Sequence, residues 1–147
     1  MKGSHRVIIS NANARYNFTL RRNITILKGD SATRKTTLAE MIGEFYESGT
    51  DSGIELRCDC LCRTLGGKDW KTILTTIHEA IVFIDEDNAF LPTNEFAEAV
   101  RDSDNYYVLV TREGLPNLPY SIEEIYGIRL SGKYAGLKQI YHEFYHI

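Results

Sequence analysis

The chain has 147 residues, a formal net charge of −3 and 43% hydrophobic residues. This balance predicts a single domain over residues 1–147 and excludes a disordered tail or a collagen-like repeat. No apolar run is long enough for a membrane-spanning helix, and the net acidic charge does not indicate a nucleic-acid partner. Three cysteines without an apolar leader predict a reduced, cytoplasmic setting.

Short apolar strands alternate with helical patterns along the chain, which predicts an α/β fold. We expect a mostly parallel sheet flanked by helices, with an antiparallel β-hairpin added at the N-terminus. The last stretch, residues 134–147, fits helical spacing but also suits a strand. In chain order, strands are predicted over residues 6–10, 16–20, 23–27, 55–65, 81–84, 106–110 and 128–130, and helices over 36–49, 69–80, 95–101 and 122–126.

The third predicted strand leads into a segment typical of a phosphate-binding loop. Strand, loop and helix follow one another there, as the pattern G-x-x-x-x-G-K-[ST] requires. Backbone N–H groups of such a loop surround phosphate oxygens, and the helix N-terminus adds its positive dipole end. The predicted cofactor-binding residues are Gly29, Asp30, Ser31, Ala32, Thr33, Arg34, Lys35, Thr36 and Thr37.

Individual residues of this loop have distinct expected roles. Gly29 permits the turn out of the strand, and Lys35 is expected to reach the outer phosphates. Thr36 is expected to place its hydroxyl on Mg²⁺, and Thr37 to contact the inner phosphate. Arg34 occupies the position of the second glycine, where a side chain disfavours close approach of a phosphate. The alternative is a simple turn that caps the helix and binds no nucleotide.

An acidic pair, Asp85 and Glu86, directly follows the apolar run 81–84. A carboxylate at the end of a buried strand can hold Mg²⁺, and one beside it can orient the water that attacks a phosphoanhydride. Ligands of open α/β sheets bind beyond the carboxyl ends of the strands. The pair is therefore predicted to face the loop, the alternative being a solvated acidic turn.

Thr111 and Arg112 follow the next buried strand, residues 106–110. At the same edge of the sheet, Thr111 is expected to sense the γ-phosphate or to orient water. Arg112 is expected to pair with phosphate or with Glu113. For both residues an ordinary surface turn is the alternative.

Together these motifs resemble those of P-loop NTPases, in the division that carries a catalytic glutamate after the aspartate of the second motif. The hairpin, with residues 24–27 leading into the loop, is similar to the opening of ATP-binding-cassette and RecF-like ATPase heads. The strand that ends before Thr111 resembles their sensing strand. The likeness covers residues 6–130, and the chain as a whole resembles short ATP-binding proteins of bacterial and prophage genomes.

This resemblance implies ATP or another nucleoside triphosphate as ligand and Mg²⁺ as metal, the latter held by Thr36 and Asp85. It implies Glu86 and Thr111 as catalytic residues of a weak ATPase. The main alternative is a catalytically silent P-loop adaptor or phage-encoded inhibitor, which would act through a protein partner or a homo-oligomer. A small-molecule kinase is a further alternative, although no substrate lid is visible.

Three thiols alternate in Cys58, Cys60 and Cys62, so on one strand they would share a face. Buried reduced cysteines are the favoured interpretation. A zinc site with His5 or His78 as a further ligand is the alternative, although sulfurs along one strand face do not converge easily.

A second metal motif, His142-Glu143-x-x-His146, matches the zincin pattern by letter. It requires a helix and a third ligand in a cleft, and no third ligand follows. We therefore expect no zinc site there.

Overall fold

The computed structural model describes residues 1–28, 32–130 and 140–146, and only the backbone of residues 32–36, 122, 129, 130, 140–143, 145 and 146. The described elements are nine strands, three α-helices and two turns of 3₁₀-helix. These elements are β1 (His5–Ser10), β2 (Ala14–Leu20), β3 (Ile24–Leu27), α1 (Ala32–Ser48), a 3₁₀ turn (Gly49–Ser52), β4 (Glu55–Arg57), β5 (Leu61–Thr64), α2 (Trp70–Leu74), β6 (Ala80–Ile84), α3 (Asn94–Arg101), β7 (Tyr106–Val110), a 3₁₀ turn (Ile122–Glu124), β8 (Ile125–Leu130) and β9 (Ile140–His146).

The strands form one hydrogen-bonded sheet in the order β4-β1-β2-β9-β8-β3-β7-β6-β5. Five neighbouring strands, β8, β3, β7, β6 and β5, are parallel. On the other side β1 pairs antiparallel with both β2 and β4, and β9 connects the two parts. The predicted α/β class, parallel sheet and N-terminal hairpin are confirmed.

The predicted single strand over residues 55–65 is wrong. Residues 58–60 break it into β4 and β5, which lie at opposite edges of the sheet. A flat sheet of nine strands would be about 38 Å wide. The connection from Arg57 to Leu61 reaches only about 14 Å when fully extended. The sheet must therefore curl until its two edges approach each other.

Helix α1 lies on the concave side of this curl. It contacts β1 on one side and β5 and β6 on the other. Its Leu38, Met41 and Ile42 are buried in one hydrophobic core with residues of both parts of the sheet, such as Val7 and Phe83. Burying side chains of this size stabilises the fold by about 1.5–3 kcal/mol each. The helix thus joins the parallel and antiparallel halves.

A second core covers the opposite face of the parallel strands. Helix α3 buries Phe96, Ala97 and Val100 there, and Trp70 of α2 stacks on Phe90 with ring centroids 4.7 Å apart. Because the parallel strands are covered on both faces, every residue of β6 and β7 is buried.

Helix α2 is shorter than the predicted helix over residues 69–80. It ends at Leu74, because the hydroxyls of Thr75 and Thr76 donate to the carbonyls of Thr72 and Ile73, at 2.6 Å in each case. Such side chains offer the backbone an alternative to helical hydrogen bonds. In the part of the chain that is described, no helix is long and apolar enough to cross a membrane.

The C-terminal stretch forms a strand where residues 140–146 are described, whereas residues 131–139 and 147 lie outside the description. Phe144 stacks on Phe18 of β2 with ring centroids 4.0 Å apart. The predicted short helix over 122–126 is a 3₁₀ turn, and the following strand begins at Ile125 rather than at residue 128.

Asn105 holds the amino ends of β6 and β7 together. Its Oδ1 accepts from the Ala80 N–H at 3.0 Å, and its Nδ2 donates to the Ile77 carbonyl at 2.9 Å. The side chain is buried, so water does not replace these partners when they are lost.

We therefore expect Asn105→Ala to lower the free energy of unfolding by about 2–3 kcal/mol, since two buried backbone groups lose their partner. Urea denaturation measures the change. The exposed Asn13→Ala serves as the control and should stay within about 0.5 kcal/mol of the parent. Equal effects of the two substitutions would contradict this role of Asn105.

Candidate functional site

Three strand ends meet at the carboxyl edge of the parallel sheet. In the register of neighbouring strands Leu27 pairs with Val110, and Ile84 pairs with Leu109. The Thr111 N–H donates to the Leu27 carbonyl at 3.0 Å, which extends the pairing one residue beyond β7. The segments that follow β3, β7 and β6 therefore emerge side by side, in that order.

The predicted phosphate loop lies between β3 and α1. Gly29, Asp30 and Ser31 fall outside the described residues, as do the side chains of residues 32–36, which include Arg34, Lys35 and Thr36. Thr37 is half-buried on the first turns of the helix.

The helix begins earlier than the sequence predicted. It starts at Ala32 rather than at Thr36, so residues 32–35 have helical backbone instead of an open loop. Arg34 accounts for this difference, because arginine favours a helix where the phosphate-loop pattern has a glycine. The first four N–H groups of a helix have no partner within the helix. A phosphate bound here would therefore contact the N-terminus of α1, which follows β3 after a connection of four residues.

The acidic pair follows β6 directly and is held by a turn. Asp85 Oδ1 accepts from the Glu86 N–H at 2.8 Å, and the Asp85 carbonyl accepts from Asn88 Nδ2 at 3.0 Å. Asn88 Oδ1 accepts in turn from the Gly67 N–H at 3.2 Å, which links this turn to the loop after β5. A Cβ on Gly66 would lie 2.9 Å from Asn88 Oδ1, so this approach needs a glycine.

Glu86 forms an ion pair that the sequence did not predict. Its Oε1 lies 3.3 Å from Arg112 Nε, whereas Arg112 was expected to pair with phosphate or with Glu113. Glu86 is 26% exposed and Arg112 63% exposed. Pairs as exposed as this contribute less than about 1 kcal/mol to stability, so Arg112 is able to move away from Glu86.

Thr111 is buried, and its hydroxyl is used locally. It donates to the Glu113 carbonyl at 2.8 Å and accepts from the Glu113 N–H at 3.1 Å. These bonds shape the turn that presents Arg112 to Glu86. Contact of the Thr111 hydroxyl with a ligand would require its proton to turn away from Glu113.

Two clefts flank the acidic pair and differ in charge. The first, about 390 Å³, lies between α1 and the ends of β5 and β6, and carboxylates of Glu40, Glu44, Asp85 and Asp87 line it. The second, about 420 Å³, lies beside Glu86, Leu91, Pro92, Thr111, Arg112 and Leu115. Glu113 also lines the second cleft, so two carboxylates face one guanidinium there, whereas four carboxylates line the first cleft, and an anion is repelled less by the second cleft.

The cysteines do not share one strand face as the sequence suggested. Cys58 and Cys60 lie in the turn between β4 and β5 with sulfurs 3.6 Å apart, whereas Cys62 is buried in β5. His5 comes close to this turn, while His78 pairs with Asp104 at 3.4 Å. Sequence spacing did not reveal the convergence, because it depends on the break between β4 and β5.

The zincin-like string His142–His146 lies in β9 and not in a helix. Four residues span about 13 Å in a strand. The helical spacing that the zincin motif requires is therefore not formed in this segment.

Comparisons with protein families, with curated proteins and with solved structures found no match for this chain.

We expect Asn88→Ala to lower the free energy of unfolding by about 1–2 kcal/mol, because the Asp85 carbonyl and the Gly67 N–H both lose a partner. Urea denaturation measures the loss. Asp87→Ala is the matched control, since the exposed Asp87 carboxylate has only a 3.4 Å contact with Asn88 Nδ2. A loss in Asp87→Ala as large as in Asn88→Ala would show that the clamp is not the cause.

Proposed function

We propose that this chain binds a nucleoside triphosphate, ATP in the first place, together with Mg²⁺ at the carboxyl edge of its parallel sheet. The convergence of three strand ends carries the proposal. The segment after β3 leads into α1, the Asp85–Glu86 pair follows β6, and the Thr111–Arg112 pair follows β7 between them. Crevices at this edge are where open α/β sheets bind ligands.

The phosphates would be held by the N-terminus of α1. Unpaired N–H groups and the positive end of the helix dipole attract anions there. Lys35 adds a cation within the first turn, and Arg34 adds another beside it. Together these groups supply positive charge next to a site that is otherwise acidic.

The donor set fits Mg²⁺. This hard cation takes oxygen ligands and uses one or two protein carboxylates or hydroxyls together with substrate phosphates. Asp85 offers a half-exposed carboxylate at the end of β6, and the hydroxyl of Thr36 is the second predicted ligand. When bound, Mg²⁺ would neutralise phosphate charge between these two residues.

Hydrolysis would depend on Glu86. With Oε1 directed at Arg112, its other oxygen is left to accept a proton from an attacking water. Arg112 in turn would be drawn toward the terminal phosphate when nucleotide enters. The pair thus holds Glu86 in position before binding and supplies a cation afterwards.

A catalytically silent adaptor is the second candidate, and the early helix start favours it. Arg34 and the helical residues 32–35 leave a shorter loop than the phosphate-binding pattern has. Such a chain would keep the fold and act through a protein surface.

We expect saturating Mg-ATP to raise the melting temperature of the chain by about 5–10 °C, since ligand at 100 times its Kd adds about 2.7 kcal/mol. Lys35→Ala should abolish this rise. The matched control Lys71→Ala removes a 63% exposed lysine from α2 and should keep it. Thermal melting with and without Mg²⁺ measures the effect.

Arg34→Gly separates the two candidate functions. A rise with Mg-ATP in the parent supports nucleotide binding. A rise that appears only in Arg34→Gly supports the silent adaptor, and no rise in either chain contradicts the proposed site.

We expect Glu86→Gln to lower the rate of Mg-ATP hydrolysis by about 10²–10⁴-fold, because the amide cannot accept the proton of the attacking water. The Mg-ATP melting shift should persist. Phosphate release measures turnover, and Glu113→Gln, an exposed carboxylate on the same side, is the control. Equal turnover in Glu86→Gln and the parent would remove Glu86 from the reaction.

A further inference from the structure

A cluster of three metal-binding side chains, with the Cys58 thiol beside two of them, lies at the amino edge of the sheet, away from the proposed nucleotide site. One ligand atom each from His5, Asp59 and Cys60 lies within 4.8 Å of the others. The Cys58 sulfur is 3.6 Å from that of Cys60 and 3.8 Å from Asp59 Oδ1. The cluster joins the start of β1 to the turn between β4 and β5.

Both ring nitrogens of His5 lie close to hydrogen-bond acceptors. Nε2 lies 3.0 Å from the Lys2 carbonyl, and Nδ1 lies 2.8 Å from Asp59 Oδ1. Both partners only accept hydrogen bonds, so His5 must carry two protons unless a cation replaces one of them.

The same geometry suits a metal ligand. A ligating imidazole uses one nitrogen for the metal, while its other N–H donates to a carbonyl or carboxylate. The Lys2 carbonyl fixes Nε2 as the donor, which leaves Nδ1 directed at Asp59, and a ring nitrogen of His5 lies within 4.8 Å of the Cys60 sulfur. His5 is only 12% exposed and also packs edge-on against Tyr106, so its ring is held in this orientation.

The distance between the Cys58 and Cys60 sulfurs suits two thiolates that bind the same ion. Two thiolates at the usual Zn–S distance of 2.3 Å in a tetrahedral site lie about 3.8 Å apart, close to the 3.6 Å between Cys58 and Cys60.

We propose that His5, Cys58, Asp59 and Cys60 form a structural zinc site. Thiolate, imidazole and carboxylate are all ligands that zinc takes, and two thiolates, one imidazole and one carboxylate would supply the four ligands of a tetrahedral site. The ion would tie the first residue of β1 to the connection that joins the two edges of the curled sheet. His78 pairs with Asp104 and takes no part.

The test uses the full chain under reducing conditions, titrated with Co²⁺ and then with Zn²⁺. We expect one ion per chain, a thiolate-to-cobalt charge-transfer band, and loss of that band when zinc displaces cobalt. Zinc should also raise the melting temperature. Both effects should persist in Lys35→Ala, since the site is independent of the nucleotide site.

Variants identify the ligands. The double variant Cys58→Ser and Cys60→Ser should lose the band, and His5→Ala should weaken zinc binding by about tenfold or more. Asp59→Asn should weaken it as well, and because Asp59 is 64% exposed this variant leaves the fold intact. The matched control His78→Ala removes the imidazole of another His–Asp pair and should bind zinc like the parent.

Three results would overturn the proposal. The first is a reduced chain that shows no thiolate-to-cobalt band. The second is a band that survives in the double cysteine variant. The third is zinc affinity that is unchanged in both His5→Ala and Asp59→Asn. A chain that forms a Cys58–Cys60 disulfide on oxidation but binds no zinc when reduced would show a redox pair instead.

Discussion

The turn Cys58–Cys60 imposes the constraint on which the rest of the structure depends. It joins two strands that pair with opposite edges of a nine-stranded sheet, so the sheet has to curl. The concave side of the sheet must then be covered by apolar side chains. Helix α1 supplies them, and they pack against both the parallel and the antiparallel strands. The strand pairing, the curvature of the sheet and the position of α1 therefore depend on one another.

This packing also determines where the candidate nucleotide site lies. Because α1 follows β3 within a few residues, its N-terminus is held at the carboxyl edge of the parallel strands. The acidic pair after β6 and the Thr111 turn after β7 emerge at the same edge. Segments that follow Leu27, Ile84 and Val110, which are 26 to 83 positions apart in the sequence, are thereby brought together. His5 and the Cys58–Cys60 turn lie at the opposite, amino edge of the sheet, where we propose the zinc site.

The sequence predicted most strands and the order of motifs, because period-2 patterns and buried apolar runs are local properties. Residues 80–84 and 106–110 are clear examples, since both are covered on two faces. It failed at residues 55–65, where the apolar pattern continues across a break that only pairing with distant strands reveals. It also misplaced the start of α1, where the helix propensity of Arg34 outweighed the motif that predicts a loop.

Side-chain partners were the least predictable part of the candidate site. The Glu86–Arg112 pair depends on two neighbouring strand ends, and the approach of His5 to Asp59 depends on the curl of the sheet. Neither has a spacing that a sequence pattern records. The sequence indicated only that Asn88 lies in a turn, because asparagine is a common turn residue. Long-range geometry therefore decides which of the predicted groups are available to a ligand.

Amide hydrogen exchange with and without Mg-ATP tests the central claim most directly, because it locates the ligand on the chain. The account predicts slower exchange in three separate segments, at the start of α1, at residues 85–88 and at residues 111–113, with little change around Cys58–Cys60. Unchanged exchange in all three segments, or protection confined to the amino edge of the sheet, would contradict a nucleotide site built from these strand ends.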